Sequence, residues 1–209
     1  MAVGLYTSRV VLNTLGVEDF GIYNVVGGIV VVLSFLNGAM AGATQRFLNM
    51  ELGCKDYDRL KKVFATSILI HFGASLIVLL LAETIGLWFL NTHLNIIPER
   101  MVAANWVYQL SIAAFIVSVI SVPYNATIIA HEEMSAFAYI GILEVMLKLA
   151  VVLVLAISPF DKLFFYAFLL FVVSVIIRVI YGIFCNRKFE ECSMCSWQIE
   201  KPLLKSMLS

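Results

Sequence analysis

Charge is what this sequence has least of. Only 13% of its 209 residues are Asp, Glu, Lys or Arg, about half the share of an ordinary soluble domain. The 14 basic and 14 acidic residues cancel, so no global field draws the chain to nucleic acid or to any polyanion. Catalytic signatures are absent as well. There is no G-x-x-x-x-G-K-[ST] phosphate loop, no G-x-S-x-G elbow, no H-E-x-x-H and no aspartate-rich cluster, so nothing marks an enzyme. Cysteine numbers four, and Cys192-Ser-Met-Cys195 stands alone, without the two further ligands of a zinc site or the βαβ setting of a redox motif. No cofactor or metal is expected.

What is present is apolar. Hydrophobic residues make up 62% of the chain and the mean hydropathy is +0.97. A soluble core of this size leaves too much surface exposed to absorb that surplus; lipid is the solvent that can. A spanning helix needs about 20 mostly apolar residues. Five continuous runs qualify, at 21–47, 63–90, 102–130, 136–157 and 163–184. Barrel strands would alternate instead. The expected class is therefore an all-α integral membrane protein. A shorter apolar piece, 2–15, reads as the outer half of a helix whose beginning is missing, and Lys201 to Ser209 reads as the start of a further helix, as in a fragment of a longer transporter. It lacks the basic leader of a signal peptide.

Loop charge sets the expected orientation. Arg46, Lys55, Arg59, Lys61, Lys62, Arg178, Arg187, Lys188, Lys201 and Lys205 fall on or near one set of connections, and only Arg100 and Lys162 on the other. The 49–62 loop, the His131-Glu-Glu133 turn and the 186–209 tail are then cytoplasmic. Tight turns are expected at Leu15 to Gly21 and Ser158 to Lys162.

Polar residues inside the runs are costly and usually face a bundle interior or a water-filled cavity. Tyr6, Arg9 and Asn13 share one helical face. Asn24, Gly27, Gly28, Ser34, Asn37, Gly38, Ala41, Gly42 and Gln45 form a small-and-polar stripe, with Gly38 and Gly42 spaced for close helix packing. Ser67, His71 and Ser75 make an i, i+4 ladder, most simply helix-to-helix hydrogen bonding. Glu83 lies towards the outer interface, within reach of water. Asn105, Gln109, Ser118, Ser121 and Asn125 share a run with Pro123, a kink and hinge candidate. Glu144 and Lys148 are one turn apart near mid-membrane, spaced for an ion pair. Arg178 is placed to reach up to headgroups. Asn125-Ala-Thr127 matches a glycosylation acceptor but lies inside a span. Arg9, Lys148 and Arg178 outnumber the deep acids Glu83 and Glu144, which suits an anionic passenger.

Three segments carry a resemblance. Leu15-Gly-Val-Glu-Asp-Phe-Gly-Ile-Tyr-Asn-Val-Val-Gly-Gly28, the run Ser34-Phe-Leu-Asn-Gly-Ala-Met-Ala-Gly-Ala-Thr-Gln-Arg-Phe-Leu48 and Pro123-Tyr-Asn-Ala-Thr-Ile-Ile-Ala-His-Glu132 resemble bacterial Wzx-type polysaccharide flippases of the multidrug/oligosaccharidyl-lipid/polysaccharide exporter superfamily. The resemblance implies half of a MATE-like two-lobe fold. Residues 1–185 would be the N-terminal transmembrane lobe, with a partial first helix, and 186–209 a cytoplasmic linker and the start of a further helix. It also implies a bacterial inner-membrane protein that moves undecaprenyl-pyrophosphate-linked oligosaccharide by alternating access for surface polysaccharide such as O-antigen. Polysaccharide polymerase machinery is an implied partner, and a coupling ion, Na+ or H+, is left open. Arg9 and Lys148 would be cavity cations, with Glu144, Asn24, Asn37 and Gln109 beside them. Two other readings stand: a cation-coupled multidrug antiporter of the same fold, which would want an unpaired deep acid, and a non-transporting membrane partner subunit.

Overall fold

The computed structural model describes residues 2–92, 96–157, 161–192 and 203, and among these there is helix and turn but no strand. Helix α1 runs Ala2–Cys54, α2 Tyr57–Leu81, α3 Leu87–Thr92, α4 Met101–Ala130, α5 Met134–Ile157 and α6 Lys162–Lys188. A π-helical turn, Ala82–Gly86, joins α2 to α3 without a break, and short 3-10 turns occupy Pro98–Arg100 and Glu190–Cys192. Among the described residues, five helical stretches are long and apolar enough to cross a membrane. Lipid forces this architecture, because each backbone group must find its hydrogen bond within its own segment.

The turn expected at Leu15 to Gly21 is confined to one residue. Gly16 sits at φ 84°, ψ 168°, and helix continues on both sides of it. That backbone region is strained for residues with a Cβ, so glycine alone concentrates the whole change of direction. Glu18 and Asp19 consequently belong to the first turn after the kink, where carboxylates favour a helix N-terminus. At other ends, side chains do the stopping. The Asp56 carboxylate accepts from the Arg59 amide (3.0 Å) to start α2, and Asp161 accepts from the Leu163 amide (3.2 Å) to start α6.

The centre is α4. Of its most apolar stretch 56% is buried, against 7% for α1, because α1, α2 and α6 all pack around it. The main cluster joins Leu48 of α1, Val63 and Phe64 of α2, Tyr124 and Ile128 of α4, Val151 and Leu155 of α5, and Tyr181 of α6. Val78 of α2 packs with Phe115 and Val119 of α4 and with Val30 of α1 in a smaller one. Pro123 is buried and α4 runs unbroken through it, so the hinge candidate lies inside the most enclosed helix.

Charge collects at two ends, as the alternation of loops requires. At the basic end Lys61 meets Glu190 (3.9 Å), Lys188 meets Glu133 (2.6 Å), Arg59 meets Glu51 (3.8 Å), and His131 pairs with Glu191 while stacking on Phe189. At the opposite end Arg100 binds Asp19 and Asp161. The segment past α6, expected as a linker, packs against the bundle. Phe189, Glu191 and Cys192 are buried, because the chain hooks back under α2 and α4. Lys201 to Ser209 lies outside the described residues except for Leu203, which is buried, and Cys195 lies outside them too.

That hook makes the cysteines unequal. A hydrogen bond to Cys185 and burial push the Cys192 thiol well above its usual range, so little thiolate forms. In a Cys195→Ser background, Cys54, which is exposed, should react promptly with a maleimide, while Cys185 and Cys192 react orders of magnitude more slowly until the protein is denatured. Fast labelling of Cys192 in the native protein would show that the hook is not docked.

Candidate functional site

The predicted polar residues do not converge on one pocket; they divide among three places. The first is the uncovered face of α1. Arg9, Asn13, Asn24, Gly28, Ser34, Gly38 and Gly42 are all exposed, and Asn24 satisfies its amide on its own helix by donating to the Phe20 carbonyl (2.8 Å). No other atom comes within 4 Å of where a Cβ would stand at Gly38 or Gly42. Among the described residues, the expected close packing through this glycine pair is therefore not made. Beside Asn24, a cleft of about 530 Å³ opens between α1, α4 and α6, floored by Gly27 and Ser111. The side chain of Tyr6 lies outside the described residues.

The second place is the seam between α4 and its neighbours. Asn37 of α1 donates to the Ser118 hydroxyl (3.4 Å), and Gln109 donates to Glu83 (3.1 Å). Glu83 is thus tied across the seam while remaining only partly buried. The π-helical turn places it there. Tyr108, fully buried, donates its hydroxyl to the Ala82 carbonyl (2.8 Å), and a Cβ on Gly86 would come within 1.9 Å of that hydroxyl. The ring fits only because residue 86 is glycine and the turn is widened. Sequence reading missed this. Its one signal was a glycine inside an otherwise branched and bulky helix.

Third, Glu144 and Lys148 form their expected pair along α5 (2.6 Å), with side chains 37% and 50% exposed. Both partners stand on one helix, so the pair joins no two helices. Arg178 departs from its expected reach to headgroups: its guanidinium lies over the Tyr124 ring, 3.9 Å from the centroid, as a cation–π contact between α6 and α4.

No family model, no curated protein and no solved structure matches this chain. Function must be argued from the geometry. Among the described residues, no three His, Cys, Asp or Glu side chains are grouped to hold a metal. What the arrangement offers is an intramembrane polar wall, on which Arg9 is the cation, and a separate charged pair on α5.

Proposed function

We propose that this chain is a lobe of a membrane transporter that moves lipid-linked oligosaccharide across the bacterial inner membrane for surface polysaccharide synthesis. The carrying observation is the uncovered face of α1. Lipid cannot hydrogen-bond, and although Ser34 and Asn24 each donate to a carbonyl of their own helix, a helix presenting Arg9 and Asn13 outward is stable only against water or another polypeptide. Two such lobes facing each other enclose an aqueous cavity. Arg9 and Lys148 supply the positive charge that a pyrophosphate headgroup needs, and the small side chains at 27, 28, 38 and 42 leave room for sugar. The resemblance of residues 15–28, 34–48 and 123–132 to Wzx-type flippases supports the same reading. A cation-coupled antiporter is less well supported, because Glu144 is held by Lys148 and Glu83 by Gln109.

Single cysteines at Ser34 and Gly42, in a cysteine-free full chain in intact membranes, test the wall. They should react with a water-soluble maleimide, whereas a cysteine at Ile77, on the exposed apolar side of α2, should not. Lipid-linked oligosaccharide should accumulate on the cytoplasmic side when the gene is deleted. Labelling at Ile77 equal to that at Ser34 would remove the cavity; protection at both Ser34 and Gly42 would favour the partner-subunit reading.

A further inference from the structure

Among the described residues, four buried side-chain atoms, the Asn37 and Asn125 carbonyl oxygens, the Thr66 hydroxyl and His71 Nε2, have no hydrogen-bond partner. Each is unusual in a membrane interior, where an unsatisfied group costs several kcal/mol (roughly) with no solvent nearby to relieve it. Their chemistry agrees. Two are amide oxygens that can only accept. His71 Nδ1 lies 2.8 Å from the Ser67 carbonyl, and a carbonyl can only accept, so Nδ1 carries the hydrogen. In the neutral ring, Nε2 is then a bare acceptor.

Helix register brings two of these groups to one level. Phe64 of α2 meets the ring of Tyr124 at 5.3 Å, and Tyr108 reaches the Ala82 carbonyl, so α2 and α4 run antiparallel with His71 opposite the turn that holds Ser118. The same Ser118 accepts from Asn37 of α1. His71 and Asn37 thus meet one turn of α4 from two sides. Thr66 lies about 7.5 Å and Asn125 about 10.5 Å nearer the basic end. Val30, Val78, Phe115 and Val119 close the layer on the far side.

We infer that His71, whose ring is buried, forms a proton-binding site together with the Asn37 amide that approaches the same turn of α4. A hydronium ion gives its proton to His71 Nε2 and leaves as water, and the imidazole becomes imidazolium. A water molecule between Nε2 and the Asn37 carbonyl donates to both, which satisfies the two orphaned acceptors in the deprotonated state. A hard cation fits the group less well, since such ions want about six or more oxygen ligands and the His71 acceptor is a nitrogen. The charged and titratable groups on the elements packed against α2 lie further along: Arg46 and Glu51 on α1, Tyr108 and Tyr124 on α4, and Glu190, Glu191 and Cys192 past α6. On α2 itself the neighbours are Lys62 and, beyond its end, Glu83. His71 is therefore the titrating group of its own layer. This site is independent of what the transporter carries, and its test needs no transport.

The test is nitrogen magnetic resonance of the full chain, labelled with 15N-histidine, in phosphatidylcholine/phosphatidylglycerol vesicles. His71 is assigned by elimination with His93→Gln and His131→Gln. At about pH 8, Nδ1 should carry hydrogen and Nε2 should be bare, with a magnetisation-transfer peak from water to Nε2; acidification should then convert Nε2 to N–H. Asn37→Leu should weaken the water peak while leaving the Nδ1 signal in place. An Nε2 signal that ignores pH and shows no water contact would overturn the proposal, as would one that shifts with sodium but not with pH.

Discussion

Replacing Arg100 by Ala should lower stability by about 2 kcal/mol, read as thermal unfolding of the full chain in detergent. A broken, fully buried pair costs about 3–5 kcal/mol. The estimate is lower here because the Arg100 side chain is 40% exposed and water relieves part of the loss. The effect is still large because one guanidinium joins three elements. Its Nη2 lies 3.3 Å from Asp19 just past the α1 kink, and its Nη1 lies 3.1 Å from Asp161, which also caps α6. Asp19 has a side chain only 9% exposed, so losing Arg100 strands a carboxylate in a poorly hydrated place. Adding Asp19→Asn to Arg100→Ala should recover much of the loss, since removing both charges is milder than removing one. Arg100→Lys should recover less, because a single ammonium cannot present a fork to two carboxylates. Equal unfolding temperatures for Arg100→Ala and wild type would show that the three elements hold without this link.

The spans were legible in the sequence and their lateral arrangement was not. Hydropathy placed all five long runs, and helix ends such as Ala130 and Ile157 coincide with the expected limits, since leaving lipid requires polar residues. The Glu144–Lys148 pair was legible because it is local, fixed by helical rise alone. Which face of each helix is buried was harder to read. These helices are apolar nearly all round, so no polar stripe marks the outside as it does in water. Hence Gly38 and Gly42 read as packing residues and prove uncovered, while Asn37, grouped with them, turns inward to Ser118. Arg178 shows the same limit from the other side: its aromatic partner is 54 positions away in sequence, and no local pattern announces it. The hook after α6 was hidden too, because nothing in residues 186–192 announces which surface Phe189 and Cys192 pack against.

The α5 pair offers the sharpest separation of the remaining readings. Glu144 and Lys148 are both partly exposed, and their ion pair lies within one helix, so it cannot act as glue between helices. What they face decides everything. If lipid covers them, Glu144→Gln leaves a lone ammonium in hydrocarbon, and the variant should be depleted from membranes, with Glu144→Gln/Lys148→Met restoring its abundance. If the aqueous cavity covers them, an exposed i, i+4 pair contributes only about 0.3–0.5 kcal/mol, and all three variants should accumulate normally. Transport then carries the difference. Lys148→Met and the double variant should lose at least about tenfold in flipping of lipid-linked oligosaccharide, the equivalent of one lost contact worth about 1.4 kcal/mol to the headgroup. Glu144→Gln should be milder, because the cation survives without its partner. A coupling acid reverses that order: Glu144→Gln would abolish ion-driven transport and Lys148→Met would be tolerated. Membrane abundance and flipping measured on the same three variants therefore distinguish lipid from cavity first, and anion binding from ion coupling second. A double variant with normal abundance and full activity would remove the pair from the transport pathway altogether.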